Sequence, residues 1–219
     1  MQKVIKYYED NLKKYGPNDE RSLGWTKHKQ EARFTQLLRF LKPERGTLLD
    51  IGCGFGDLYT YLKKNPRYRY VDYTGIDVMQ QFIDIAIQNH PDKSDSFYRA
   101  DFCTENGRDD YDFCVASGIF GHMVYESEQE MYGFVEKIMS KAFQMCRGGV
   151  AFNFLSDKVD YRTSAEDFHA SPEKALSLAY RLSKNIVLDN STMPFEFSVT
   201  IFKDDSFDKE TTMFVRSGR

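Results

Sequence analysis

The run LLDIGCGFGDL, residues 48–58, places Asp50, Gly52, Cys53, Gly54 and Gly56 where a β-rich stretch gives way to a helical one. Glycines at a strand-to-helix turn let a ligand reach backbone amides that side chains would otherwise cover, and the amides at a helix start attract polar and anionic groups. The spacing differs from the dinucleotide fingerprint, in which the third glycine falls three residues after the second; here it falls two after. A second carboxylate, Asp77 in YTGIDV, lies roughly 20 residues beyond the turn, a separation at which an acidic side chain can accept both hydroxyls of a ribose. Val78 follows it directly. A third carboxylate, Asp101, is followed by Phe102. An acid beside an aromatic ring can hold adenine.

The segment ASGIFGHM, residues 116–123, follows another β-rich run, so Ser117, Gly118, Ile119, Phe120 and His122 are expected at the carboxyl edge of a sheet. Ligands of open α/β sheets bind at that edge. His122 is the candidate general base, because neutral imidazole accepts a proton near neutral pH. The alternative is a polar residue that lines the pocket without chemistry. His169 falls in a loop that faces either the same pocket or solvent, whereas His28 and His90, beside charged or helix-terminal residues, read as surface groups. No two histidines stand at metal-ligand spacing and no CxxC occurs, so no metal is expected.

A scaffold must bring these residues to one edge, and from Thr47 onward β-rich runs alternate with helical ones, the pattern of parallel strands joined by crossover helices. Strands are expected at 47–51, 70–76, 96–100, 111–116 and 150–155, with helices at 57–64, about 79–89 and about 127–146. Ser127 and Glu130 form an S-x-x-E capping box for the last helix, whose core face carries Met131, Phe134, Val135, Ile138 and Ala142. Gly148 and Gly149 are expected to stop it. Ser171, Pro172 and Glu173 have the chemistry of a helix start, leading to about Ser183. Strands at 186–188 and 195–202 lie close enough to form an antiparallel pair at one edge. Residues 26–41 are amphipathic, with Phe34, Leu37, Leu38 and Leu41 on one face, and Pro43 ends them.

The fold class expected is therefore α/β: a doubly wound, Rossmann-like sheet of seven strands, mostly parallel with a final antiparallel strand. Residues 1–45 read as a helical lid segment, 46–204 as the ligand-binding domain and 205–219 as a frayed tail. Segments 15–25 and 156–170 are candidate loops over the site. Trp25, Gln30 and Arg33 are read as part of a lid or pocket wall, with Arg33 able to meet a ligand carboxylate. The alternative makes Trp25 a hydrophobic staple and Arg33 a solvated helix residue.

The 219 residues carry 30 basic and 33 acidic side chains, a net charge of -3, which supplies no broad field for a polyanion and disfavours nucleic acid. No apolar run is long enough to cross a bilayer and the first residues lack a signal core, so a cytoplasmic protein with no membrane association is expected. Cys53, Cys103, Cys114 and Cys146 read as reduced and mostly buried. The oligomeric state is left open.

In their order along the chain, DIGCGFG, GID, ADF and YDFCVASGIF resemble the successive motifs of class I S-adenosylmethionine-dependent methyltransferases, over roughly residues 37–202. The resemblance implies S-adenosylmethionine as cofactor, with Asp50, Gly52 and Gly54 against its amino-acid portion and ribose, Asp77 on the ribose hydroxyls and Asp101 on the adenine amino group. The closing PFEFSVTIFK run, residues 194–203, resembles the last antiparallel strand of that family. The N-terminal pattern, GIF and PFEFSV resemble small bacterial methyltransferases of surface-sugar and natural-product pathways. This resemblance implies methylation of an oxygen or nitrogen of a small polar metabolite, a sugar or phosphorylated intermediate of surface-glycan or natural-product synthesis. SGIF stands where many amino-methylating enzymes of nucleic acid or protein carry an NPPY-type motif. Methylation of protein or RNA, a non-catalytic cofactor-binding partner subunit, and a nicotinamide-dependent oxidoreductase remain as alternatives.

Overall fold

Leu48, Leu49, Asp50 and Ile51 are all buried, as a strand covered on both faces must be, and they end the central strand β1 (Arg45–Ile51). In the computed structural model, which describes all residues except 1, 18, 25–28, 106, 108, 161–163, 165 and 216–219, β1 pairs in parallel with β2 (Tyr70–Asp77) on one side. On its other side it pairs in parallel with β4 (Tyr111–Ala116). With β3 (Phe97–Arg99), β5 (Cys146–Ser156), β7 (Ile186–Asp189) and β8 (Glu196–Phe202), the sheet runs β3-β2-β1-β4-β5-β8-β7. A two-residue strand β6 (His169–Ala170) adds in parallel to the end of β5. The strand order changes direction between β1 and β4, and the crevice outside their carboxyl ends is where an open α/β sheet binds ligands. Strand β8 runs antiparallel to both β5 and β7, so the expected pair closes one edge with β8 inside and β7 outermost.

Helices cover both faces. On one, α2 (Lys29–Leu41), α3 (Asp57–Lys64) and α4 (Gln80–Asn89) bury Leu37, Leu38, Leu58, Leu62, Ile83 and Ala86 against Leu48 and Tyr73. On the other, α5 (Glu128–Met145) and α6 (Pro172–Tyr180) bury Met131, Val135, Ile138, Ala142, Ala175 and Ala179 against Cys114, Val150 and Val199. The capping box is formed, with the Ser127 side chain accepting from the Glu130 amide and the Glu130 carboxylate from the Ser127 amide.

Several local expectations are revised. Gly148 and Gly149 do not stop α5, which ends at Met145; they lie inside β5. Close packing explains them. A β-carbon on Gly148 would stand 2.8 Å from the Phe113 ring and one on Gly149 2.8 Å from the Ile201 carbonyl oxygen. Helix α6 ends three residues earlier than expected, at Tyr180. The tail is not frayed throughout: 206–215 close on themselves through a Phe207–Phe214 bridge and bonds from Thr212 N to Asp208 O and Val215 N to Ser206 O.

The N-terminal segment begins with a helix, α1 (Gln2–Tyr15), of which no residue is buried. A helix of this length is marginal alone and depends on one packed stripe. Tyr8 and Leu12 supply that stripe, against a small cluster of Leu23, Phe55, Met79 and Phe82. Among the described residues, no helix is long and apolar enough to cross a membrane.

Candidate active site

The turn after β1 needs glycine for conformation: Gly52 and Gly54 have φ of +77° and +55°. Larger residues are strained there. The amides of Gly52 and Cys53 both donate to the Ile76 carbonyl, at 2.8 and 3.0 Å, so the turn is tied to the end of β2. Asp77 completes the tie. Its carboxylate accepts from the Gly54 amide at 3.1 Å and from the Met79 amide at 2.9 Å. A β-carbon on Gly52 would stand 2.3 Å from Cγ2 of Ile119, which shows how closely the loop after β4 approaches the turn.

Two buried carboxylates lie beneath. Burial pushes Asp50 up to about 7 and Asp77 up to about 6, each resisted by hydrogen bonds to the ionised form: the Tyr73 hydroxyl donates to Asp50 at 2.7 Å, and backbone amides serve Asp77. The Cys53 thiol beside them is driven well above its ordinary range by the same burial.

A cleft of about 1150 Å³, counted out to its open mouth, lies over this turn. Asp50, Gly52, Cys53 and Gly54 form its floor, and Asp77 with Val78 lines the β2 side. Asp101 and Phe102, after β3, form its far end; Asp101 already accepts from the Cys103 amide at 2.9 Å. Ser117 and Gly118, after β4, line the opposite wall, joined by His122. The loop after β4 is fixed by a residue the sequence reading missed: Asn153, in the middle of β5, accepts from the Gly118 amide at 2.7 Å. Ser117 Oγ is buried without a hydrogen-bond partner among the described residues, a hydroxyl left for a ligand. Carboxylates at the β2 and β3 ends, a glycine floor and this hydroxyl fit a nucleoside that carries an amino-acid tail.

A second cavity of about 1320 Å³ adjoins the first, and both are lined by Tyr8, Leu23, Gly118 and His122. His122 is held between two chain segments. It bridges to Asp167, the Met123 amide donates to the Glu166 carbonyl at 2.7 Å, and the Phe168 amide donates to the Gly121 carbonyl at 3.1 Å. Its ring sits 4.6 Å from that of Tyr7 and 5.7 Å from that of Tyr8, and Nδ1 is 3.5 Å from the Asp167 carboxylate. Burial lowers its pKa below the usual histidine value, with Asp167 opposing. The ring is therefore neutral and basic near pH 7.

Two sequence expectations fall differently. Arg33 is neither solvated nor against the glycine turn: it is buried on the wall of the second cavity, where Nε and Nη2 grip the Glu196 carboxylate at 2.5 and 2.6 Å. Burial explains the pairing, since an unpaired guanidinium there would be costly, and removing one partner of such a pair costs about 3–5 kcal/mol. His90 is not a surface group. It is buried beneath α3, stacked on Phe97 and edge-on to Tyr59, because Gly56 leaves room for its ring. Trp25 and His28 lie outside the described residues. Gln30 does reach the first cavity, donating to Asp57 at 2.9 Å. Cys53, Cys114 and Cys146 are buried, Cys103 is partly so, and all four are free thiols.

A sheet with this switch point and a glycine floor flanked by three strand-end carboxylates defines a nucleoside-cofactor enzyme, and comparison with known proteins makes the class specific. The family described as "Methyltransferase domain" matches residues 49–143. A Mycobacterium tuberculosis (strain ATCC 25618 / H37Rv) protein, provisionally named methyltransferase Rv1506c, is 30% identical over 157 residues, which cover 70% of this chain and 91% of that one. The chain belongs to the class I S-adenosylmethionine-dependent methyltransferases. The fold agrees with solved structures. Magnesium protoporphyrin IX methyltransferase from Synechocystis PCC 6803, with bound SAH, aligns with a TM-score of 0.63 at 11% identity over 93% of this chain and 100% of that one. The methyltransferase domain of bacterial CtHen1-C aligns with a TM-score of 0.57 at 14% identity over 78% and 96%. The protein is an enzyme that uses S-adenosylmethionine.

Proposed function

We propose that this enzyme methylates an oxygen or nitrogen of a small polar metabolite and that His122 removes the acceptor's proton. The observation that carries the reading is the junction of the two cavities. Of the four residues lining both, only Tyr8 and His122 ionise, and desolvation of the half-buried Tyr8's hydroxyl raises it above its ordinary value. Among the described residues at the junction, His122 alone can take a proton near pH 7.

In this reading the first cavity holds the cofactor: Asp77 receives the ribose hydroxyls, Asp101 and Phe102 the adenine, and Asp50, Gly52, Cys53, Gly54, Val78, Ser117 and Gly118 the remainder. Bound there, S-adenosylmethionine supplies a methyl group on a positively charged sulfur, open to in-line attack. The chain's own residues align the acceptor, exclude water and accept one proton. Asp167, 3.5 Å from Nδ1 of His122, stabilises the imidazolium that forms.

The second cavity is then the acceptor site. Among the described residues of its wall, Glu166, Asp167 and Glu196 stand with Lys29 and Arg33, and Arg33 is already paired with Glu196. That balance favours a sugar-like acceptor over a phosphorylated one. Residues 1–45 act as a cap in front of the catalytic unit at 46–204, and the four free thiols support the cytoplasm as location. The test is transfer of a tritiated methyl group from S-adenosylmethionine to a panel of sugars, amino sugars, sugar phosphates, RNA and protein. Label in a small sugar, lost in His122→Ala, is the expected result; label in RNA or protein alone would overturn it.

A further inference from the structure

His169 is used neither by the cofactor cavity nor by the proton transfer proposed for His122, yet it is held as a site residue is held. It opens β6, which pairs with the end of β5 at Leu155 and Ser156, so the sheet and not a loose loop fixes its backbone. Side chains alternate along an extended segment. Phe168 accordingly enters the core, while Asp167 and His169 on either side of it both line the second cavity.

The ring's tautomer follows from one contact. Nδ1 stands 2.8 Å from the Ser156 carbonyl oxygen, and a carbonyl only accepts, so Nδ1 carries the hydrogen. With that hydrogen on Nδ1, the tautomer leaves Nε2 as the acceptor. That atom is buried and has no hydrogen-bond partner among the described residues. A buried acceptor is normally satisfied, and one left open on a cavity wall marks a place for a ligand donor.

We propose that His169 is the specificity residue of the acceptor cavity, its Nε2 accepting a hydrogen bond from a hydroxyl of a polyol that carries no phosphate or carboxylate. The proposal rests on the reading of the second cavity as the acceptor site. The lining fits it in chemistry: Nε2 accepts, and Glu166 and Asp167 add acidic residues to the same wall, whereas the Glu196 carboxylate is taken up by Arg33, so the complementary ligand is rich in donors. Among the described residues, Lys29 is the one cation on this wall left to face an anion, since Arg33 is committed to Glu196. His122 and His169 then divide the work. The first meets the group that is methylated, and the second holds a different hydroxyl of the same molecule.

His169→Asn is the informative variant, because its amide can keep the bond to Ser156 while deleting the lone pair at Nε2. Protein saturated with S-adenosylhomocysteine is titrated with methyl α-glucopyranoside, glucosamine and glucose 6-phosphate, followed by calorimetry and by the long-range 1H–15N resonance of His169 Nε2. Saturable binding of either of the first two is expected, with movement of that resonance and about tenfold or greater weakening in His169→Asn. Affinity for S-adenosylhomocysteine and the melting temperature should not change. Equal affinity in both proteins, binding of the phosphate alone, or no binding of any probe overturns the proposal. So does loss of S-adenosylhomocysteine affinity in the variant, which would make His169 structural. Failure of the wild-type protein to bind S-adenosylhomocysteine would instead sink the methyltransferase site itself.

Discussion

The two cavities that meet at His122 are built in opposite ways. The first draws most of its polar residues from the ends of β1, β2, β3 and β4, within residues 50–118, and ties them through backbone amides and buried carboxylates. The second draws on α1, the loop after β4, β5, the 164–169 segment and β8, with side chains that are mostly charged or aromatic. The strand-end residues of the first wall are each set by their own strand, so a change there strikes one defined contact. The second wall exists only when distant segments dock, and its chemistry is set by which side chains those segments bring together.

The largest effect should come from breaking the first wall at its backbone. Gly52→Val forces a β-branched residue into a left-handed conformation and sets its β-carbon against Ile119, 2.3 Å from Cγ2 before any relaxation. Affinity for S-adenosylmethionine, measured by calorimetry on protein whose circular dichroism shows a native fold, should fall by roughly a thousandfold or more, given that backbone strain and close contact each cost about 1–3 kcal/mol. Native affinity would detach the turn from the cofactor.

His122→Ala tests the junction and should separate the two walls. Turnover is expected to drop by about 10²- to 10⁴-fold, the span of general-base catalysis, while cofactor affinity stays within roughly threefold. Equal losses in both quantities would make His122 a structural prop of the first cavity. Turnover at the wild-type level would leave proton removal to solvent.

The contrast between the walls also explains what could be read in the sequence. Asp50, Gly52, Gly54, Asp77, Asp101 and Ser117 were legible because each closes a strand, and strand ends in this topology converge without help from distant sequence. Asn153 was hidden in a run that reads as a buried strand, FNFL at 153 and its neighbours; its one signal was an amide among aromatic residues, there to receive the Gly118 amide. Asp167 gave no signal, since only the bridge between two loops brings it to His122. Arg33 was read as a wall residue and lines the second cavity, but its carboxylate partner was hidden because Glu196 lies far along the chain on β8. The glycine pair at 148–149 shows the converse: chemistry suited to a helix stop can serve close packing in a strand instead.

A smaller effect is expected at Asp77, where one side chain serves both the turn and the ligand. Asp77→Ala removes the acceptor of the Gly54 and Met79 amides and the hydrogen bonds proposed for the ribose. Cofactor affinity should weaken by about 2–3 kcal/mol, or roughly 30- to 150-fold. The melting temperature reports the turn separately. A fall in melting temperature with unchanged affinity would assign Asp77 to the fold alone.

The mildest perturbation is pH, and it distinguishes the walls without a mutation. Asp50 and Asp77 have folded-state values of about 7 and about 6, above the ordinary 3.8, so the free folded protein holds more protons than the unfolded chain between roughly pH 4 and 7. Stability of the free protein should therefore decline as pH rises through that window and level off above it. Cofactor affinity should run the other way, because Asp77 must release its proton to accept two ribose hydroxyls. Below pH 6 the affinity is expected to weaken by about tenfold per pH unit. His122 titrates below its usual value, so turnover at saturating cofactor should fall on a separate acidic limb that Asp77→Asn leaves in place. Affinity that stays flat from pH 5 to 8 would mean that Asp77 binds as a neutral acid, and the carboxylate's part in the first wall would be confined to holding the glycine turn.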